Sequence, residues 1–468
     1  MTLLRIARST RTAAAVFGLL LGIATATAFA QSASEDKDEE RKPADPDTGK
    51  STLSDETLGL LPNPFEKDGV KLALTYIGET LGNVSGGARR AAIYEGRVNA
   101  AIDVDFAKRA GWSGATFHAN VFQIHGRGLS RDYLGNLMQV SGVEARPSTR
   151  LYEIWLEQKF LNEKLSVRAG QLAAEGEFIN SKYSDVFVNS TYNWPTIFQE
   201  NLPSGGPSPP LAAVGARVRA EPRDNFTVLA AIFNGDPAGP GDDDPQVRNR
   251  HGTNFRTSDS RLLIGELQYA YNRKSLPGTI KVGGWHHNGL FDDPRFASNG
   301  ESQAAPGAPA EPAQLRSNHA VYSVVEQMVV RFPGDDDARG IGVFGRVSTS
   351  PGKRNLIDLY ADGGVSVIGP LASRPKDKIG FGFAYARISG RARDLDRDLR
   401  SFGVSPRPVR SYEALITASY LVQVRTGWTV LPTFQYIIHP GGGYVVDDES
   451  PRAVKNAAVL GLRMTLKF

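Results

Sequence analysis

The chain has 468 residues, 41% of them hydrophobic, a formal net charge of +4 and no cysteine. That length suits two or three soluble domains or one large barrel, and the lack of cysteine excludes disulfide frameworks and thiolate metal sites. So small a net charge gives no ground for a nucleic-acid partner.

The first thirty residues read as a signal peptide. Arg5, Arg8 and Arg11 precede a short apolar stretch at 13–24, and Ala28-Phe29-Ala30 offers a cleavage site before Gln31. The stretch is shorter than the ~20 residues a spanning helix needs. Its removal takes the net charge from +4 to +1. Residues 31–60 carry a Glu-Asp-Lys run and Lys42-Pro43-Ala44-Asp45-Pro46. Such a composition buries too little apolar surface to order itself, so it is expected to form a flexible, charged periplasmic tail. No later segment approaches a spanning helix, so entry into a membrane requires a closed barrel.

Strand-like runs then fill residues 61–468. They lie near 70–78, 94–106, 113–125, 150–160, 165–173, 212–220, 225–233, 261–272, 278–287, 320–332, 340–349, 362–369, 378–388, 410–422, 428–438 and 456–468. In the second, Tyr94, Val98, Ala100, Ile102, Val104 and Phe106 oppose Glu95, Arg97, Asn99, Asp103 and Asp105. In the fourth, Tyr152, Ile154, Leu156 and Phe160 oppose Glu153, Trp155, Glu157 and Lys159. A side-chain period of two gives each strand one apolar and one polar face. A soluble sandwich would alternate in the same way.

The connections separate the two readings. Those after even-numbered runs are short, as at 161–164, 221–224, 273–277 and 423–427. Those after odd-numbered runs are mostly long, as at 126–150, 174–211, 234–260, 288–319 and 389–409. A sandwich has no reason to sort loop length by parity. An outer-membrane barrel has short periplasmic turns and long extracellular loops. The expected fold class is therefore an all-β transmembrane antiparallel β-barrel of about sixteen strands. Aromatics near strand ends, among them Tyr76, Tyr94, Tyr152 and Tyr436, suit interfacial girdles. In the last run, Ala458, Leu460, Leu462, Met464, Leu466 and Phe468 share the outward face, and the strand should close the barrel against the first.

The connection 174–211 is rich in rings: Phe178, Tyr183, Phe187, Tyr192, Trp194 and Phe198. So much apolar surface should fold against something, and within a barrel that is the inner wall. The loop is expected to constrict a pore. A sugar offers hydroxyls at its edge and C–H groups on its faces, so its site wants rings beside donors and acceptors. Trp155, Trp194 and Tyr183 could supply the rings. Arg97, Asn99, Glu153, Glu157 and Arg168 could supply hydrogen bonds at the wall, and Arg217, Arg219 and Arg463 also face the expected lumen. Mixed charge argues against a strongly ion-selective pore.

Several segments resemble the carbohydrate-selective porin family typified by OprB. They are G-V-K-L-A-L-T-Y-I-G-E-T-L-G-N-V-S-G-G (69–87), F-H-A-N-V-F-Q-I-H-G-R-G-L-S (117–130), L-Y-E-I-W-L-E-Q (151–158), R-A-G-Q-L (168–172), N-L-P-S-G-G-P (201–207) and G-F-G-F-A-Y-A-R-I-S (380–389). The resemblance implies a sixteen-stranded barrel through which sugars diffuse passively, with no cofactor. By position it points to Arg97, Glu153, Trp155, Glu157, Arg168 and the loop from Lys182 to Trp194 as constriction residues. It also implies a Gram-negative outer-membrane location, with outer-membrane lipid and lipopolysaccharide as surroundings. The barrel-assembly machinery would be met through the strand ending in Phe468. Whether one barrel or a homo-oligomer forms is left open. The alternatives are a general or anion-preferring porin and, from another class, a barrel hydrolase. No catalytic or metal-binding motif is evident: His286-His287 lacks further spaced ligands, and the acidic runs 242–244 and 335–337 lack the spacing of a calcium loop.

Overall fold

Sixteen antiparallel strands among the described residues close on themselves in chain order, the last pairing with the first. The computed structural model describes residues 53–334, 336–404, 408–443 and 452–468; the expected signal peptide and most of the tail lie outside them. The strands are β1 (Val70–Gly87), β2 (Ala92–Asp105), β3 (Ala115–Gly126), β4 (Ser148–Phe160), β5 (Leu165–Leu172), β6 (Ala213–Arg223), β7 (Phe226–Asn234) and β8 (Arg261–Arg273). They continue with β9 (Leu276–Ala297), β10 (Pro312–Arg331), β11 (Gly340–Thr349), β12 (Ile357–Ile368), β13 (Lys378–Ile388), β14 (Tyr412–Arg425), β15 (Trp428–Ile438) and β16 (Lys455–Lys467). Each expected run overlaps a strand.

The alternation sorts side chains between lipid and lumen. Leu460, Leu462, Phe381, Phe383, Val282 and Val321 point outward and are exposed, as hydrocarbon contact allows. Glu79, Glu95, Glu266 and Glu326 point inward and are buried by what fills the barrel. β16 pairs Leu462 with Thr80 of β1 and with Pro432 of β15, so every ladder has two neighbours and no edge remains. The short turns hold strand direction tightly. At Lys274–Ser275 both residues have positive φ, 52° and 63°, the geometry that matches strand twist in a two-residue hairpin.

Four expectations need correction. First, the connection 288–319 is mostly strand. β9 and β10 continue pairing past the wall, for example Phe291 with Leu315, and leave a loop only at 298–311. The helix Gly390–Ser401 braces this projecting hairpin: Arg295 Nε donates to Asp398 Oδ2 at 2.7 Å, and Ser302 Oγ donates to the same oxygen at 2.7 Å. Second, Tyr152 belongs to the inner face. A register shift between Asn120 and Val121 places Glu153 opposite Asn120 and Leu151 opposite Val121, so Tyr152 bulges inward and stacks on Phe122 at 4.3 Å.

Third, the tail was expected to stay flexible to residue 60, yet 53–60 lie along the short-turn rim. Leu58 N donates to Lys467 O at 2.7 Å, Lys71 Nζ donates to Leu53 O at 2.9 Å, and Lys376 pairs with Glu56 at 2.5 Å. Fourth, the connection 126–150, expected outside, turns into the barrel. Its Leu129, Leu134, Met138 and Val140 are fully buried.

Candidate functional site: the constricted lumen

Two connections between strands fold into the barrel. The segment 173–212, between β5 and β6, crosses the lumen and lies against β8–β15. Its backbone is met by wall side chains: Ile179 N donates to Glu266 Oε2 at 2.7 Å, Lys182 N to Glu326 Oε2 at 3.0 Å, and Asn189 Nδ2 to Gln435 Oε1 at 2.9 Å. Arg346 of β11 and Asp362 of β12 form a fully buried pair. The same guanidinium donates to Ile179 O and to Thr191 O, each at 3.0 Å. A carbonyl packed between a loop and the wall needs such a donor, because water is excluded from that contact.

The loop can lie this close because the wall beneath it is glycine. Gly342, Gly380 and Gly382 face inward under Tyr183, Val186 with Phe187, and Tyr192, respectively; a Cβ at any of them would overlap those side chains. On the same strand, Phe381 and Phe383 face outward. The segment 127–147 then stacks on the loop from above. Asn189 Nδ2 donates to Met138 O at 3.0 Å, Gln435 Nε2 to Val140 O at 2.7 Å, and Glu413 of β14 accepts from Leu137 N and Met138 N at 2.8 and 2.7 Å.

The remaining wall is formed by β1–β6. Here Glu157 of β4, Arg168 of β5, Arg217 of β6 and Glu177 of the loop form one ion-pair square. Arg168 bonds Glu157 at 3.0 Å and Glu177 at 2.9 Å, and Arg217 bonds Glu157 at 3.0 Å and Glu177 at 2.5 Å. Trp155 sits beneath it, with the Arg168 guanidinium 3.8 Å above its ring and His118 stacked at 4.8 Å. His118 in turn lies 2.6 Å from Asp103. Toward the outer side, the Arg97 guanidinium lies 4.3 Å over Phe122, which stacks on Tyr152. Asn99 is half-buried on the same face. Glu153 Oε1 accepts from Ala173 N at 2.9 Å and fixes the start of the loop.

Of the ten residues expected in the site, Arg97, Asn99, Glu153, Glu157, Arg168 and Arg217 come together on this wall. Lys182 is exposed on the loop, with its Nζ 4.9 Å over Tyr183. The three rings do not act as open platforms. Tyr183 is fully buried over Gly342, Trp194 is 3% exposed and donates from Nε1 to Gly205 O at 3.0 Å, and both faces of Trp155 are taken by Arg168 and His118. Ring-rich sequence signalled a loop core here, not sugar-facing surfaces.

Sequence reasoning missed three carboxylates beside these residues, Glu175, Glu177 and Glu79. Glu175 and Glu177 come from the loop's first turn; the E-G-E spacing opposite two arginine-bearing strands was the signal available. Glu175 is half-buried, and the loss of solvent pushes its carboxyl up to about 7; Arg97 opposes that shift and Glu153 adds to it. Glu79 and Arg463 pair across the β1–β16 seam, and Arg463 Nη2 donates to Ser141 Oγ at 3.4 Å.

A family model described as carbohydrate-selective porin, OprB family, matches residues 89–468. Porin B of Pseudomonas aeruginosa is 27% identical over 427 residues, which cover 86% of this chain and 88% of that protein. The putative porin QuiX of Acinetobacter baylyi is 22% identical, over 86% of this chain and 90% of that one. Among solved structures, the high-pH structure of Pseudomonas putida OprB superposes with a TM-score of 0.75 at 26% identity, covering 86% of this chain and 95% of that chain.

Proposed function

This chain belongs to the carbohydrate-selective porin family, an outer-membrane porin for sugar diffusion, and from that premise we propose that its sugar path follows the polar wall of β1–β6. The observation that carries this reading is the row of guanidiniums and carboxylates on one wall, faced by a loop fixed to the other. Alternating donors and acceptors suit hydroxyls that both donate and accept. Sugars contact Arg97, Asn99, Glu153, Glu157, Arg168 and Arg217, with Glu175, Glu177 and Lys182 from the loop. The buried rings set the height of the arginines above the wall.

Such contacts must stay weak, since a solute has to leave as readily as it enters. No energy coupling is needed, and no observation among the described residues favours the hydrolase alternative. The wall carries both signs, which supports a sugar pore over a strongly anion-preferring one. Liposome swelling tests this with glucose against a neutral non-sugar of similar size. Arg168→Ala with Glu157→Ala should slow glucose and leave the non-sugar unchanged. Equal effects on both solutes would reject the sugar contacts, and a strong anion preference in a salt gradient would replace the sugar reading. We further take β16 and the Phe468 that follows it, whose N donates to Leu74 O at 2.8 Å, as the segment shown to the assembly machinery before closure.

A further inference from the structure

A second polar hollow lies above the constriction. It measures about 360 Å³, within the range of small-molecule sites, and is built where the two inward connections meet the segment after β7. Its polar lining includes the side chains of Gln139, Gln199, Glu200 and Ser208; Leu202, Pro209, Pro210 and Pro245 give it an apolar side.

Three observations distinguish this hollow from a chance crevice. Its frame is fixed: Arg146 Nε donates to Asp244 Oδ2 at 2.6 Å, Arg146 N to Gln246 Oε1 at 2.7 Å, and Ser204 Oγ to Asp236 Oδ1 at 2.5 Å. Within that frame, the amides of Gln139 and Gln199 and the carboxyl of Glu200 have no hydrogen-bond partner among the described residues, so their capacity is free. The hollow also borders the outer end of β4. Arg150, at the outer end of β4, donates to Pro210 O and Gln246 O, both at 3.4 Å. Glu157 of the constriction is seven residues further down that strand, roughly 23 Å along it.

We propose that this hollow is an outer docking site for one neutral hexose ring, occupied before the sugar reaches the constriction. The amides meet hydroxyls as donors and acceptors, and the proline and leucine side meets a C–H face. Asp244 is paired with Arg146. Glu200 is pushed up to about 7 by partial burial and then by the Glu413 carboxyl, so it carries only part of a charge near neutral pH, and none of the described residues lining the hollow is an arginine or lysine. This inference rests on the sugar-porin reading.

The test is single-channel recording of the full chain with glucose added to one side only. Gln139→Ala and Gln199→Ala remove unpartnered side chains, so open-channel conductance should stay at the wild-type level and report an intact barrel. Losing one neutral hydrogen bond should lower glucose block from the extracellular side by about 2- to 10-fold, with block from the periplasmic side changed less. Unchanged extracellular block in both variants would overturn the docking site and leave the constriction reading standing. If glucose neither blocks the wild-type channel from either side nor permeates liposomes, the sugar reading falls and takes the site with it.

Discussion

At Arg168 a single side chain serves three neighbours: the Trp155 ring and the carboxylates of Glu157 and Glu177. Exchange for Ala leaves two carboxylates to share Arg217, so the wall becomes more negative. The reversal potential in a salt gradient should move toward cations; no movement would mean that Arg168 does not face the permeating ions. Glu175 predicts a pH effect. Its carboxyl titrates at about 7 instead of 4.5, because burial disfavours the charge more than Arg97 favours it. Below about 7 it is neutral, so cation preference should fall as pH drops from 8 to 6, and Glu175→Gln should flatten that change. The linked stability has the opposite slope to that of a paired carboxylate. A raised pKa means the folded state holds the proton more tightly, so stability declines as pH rises from 4.5 through about 7.

The constriction loop is held as an element rather than by any one contact, but Arg346 is its costliest anchor. Removing it leaves the Asp362 carboxylate buried without its cation and Ile179 O without its donor, a loss of about 3–5 kcal/mol. Arg346→Met should therefore raise conductance and current noise and lower thermal stability, and the double change with Asp362→Leu should recover part of the stability. Wild-type conductance and stability in Arg346→Met would show that the loop is held elsewhere. The glycine floor gives a second route to the same element. Gly382→Val would put a branched side chain into Tyr192, and a displaced loop would then widen the pore without any change of charge. At the opposite rim, Gly427 lies under the Thr57–Leu58 backbone, so Gly427→Val should free residues 53–60 to added protease while the barrel stays intact.

For the whole molecule, stability rests on closure and on an outer surface matched to hydrocarbon. Leu462 faces outward midway along β16, where an arginine costs about 2–4 kcal/mol, so Leu462→Arg should lower the denaturant midpoint in lipid vesicles. An unchanged midpoint would place Leu462 away from the hydrocarbon. Strand number, strand order and the two rims were legible in the sequence because they depend on local regularities. Period-two alternation follows from backbone geometry, and the sorting of loop lengths follows from which rim a turn occupies. The polar wall residues were legible for the same reason, since parity assigns Arg97, Glu153, Glu157, Arg168 and Arg217 to one face. Tyr152 escaped because one inserted residue reverses parity locally, and that shift becomes visible only against Asn120 of the neighbouring strand. The rings of Trp155, Tyr183 and Trp194 escaped because composition shows that a ring will be buried, not which face its neighbours cover. The inward turn of 127–147 and the hollow above the constriction depend on contacts between segments far apart in the chain, such as Met138 with Glu413 and Arg146 with Asp244. Such pairings have no period and leave no trace in local sequence; only the closed barrel, by bringing both walls within reach of one loop, decides them.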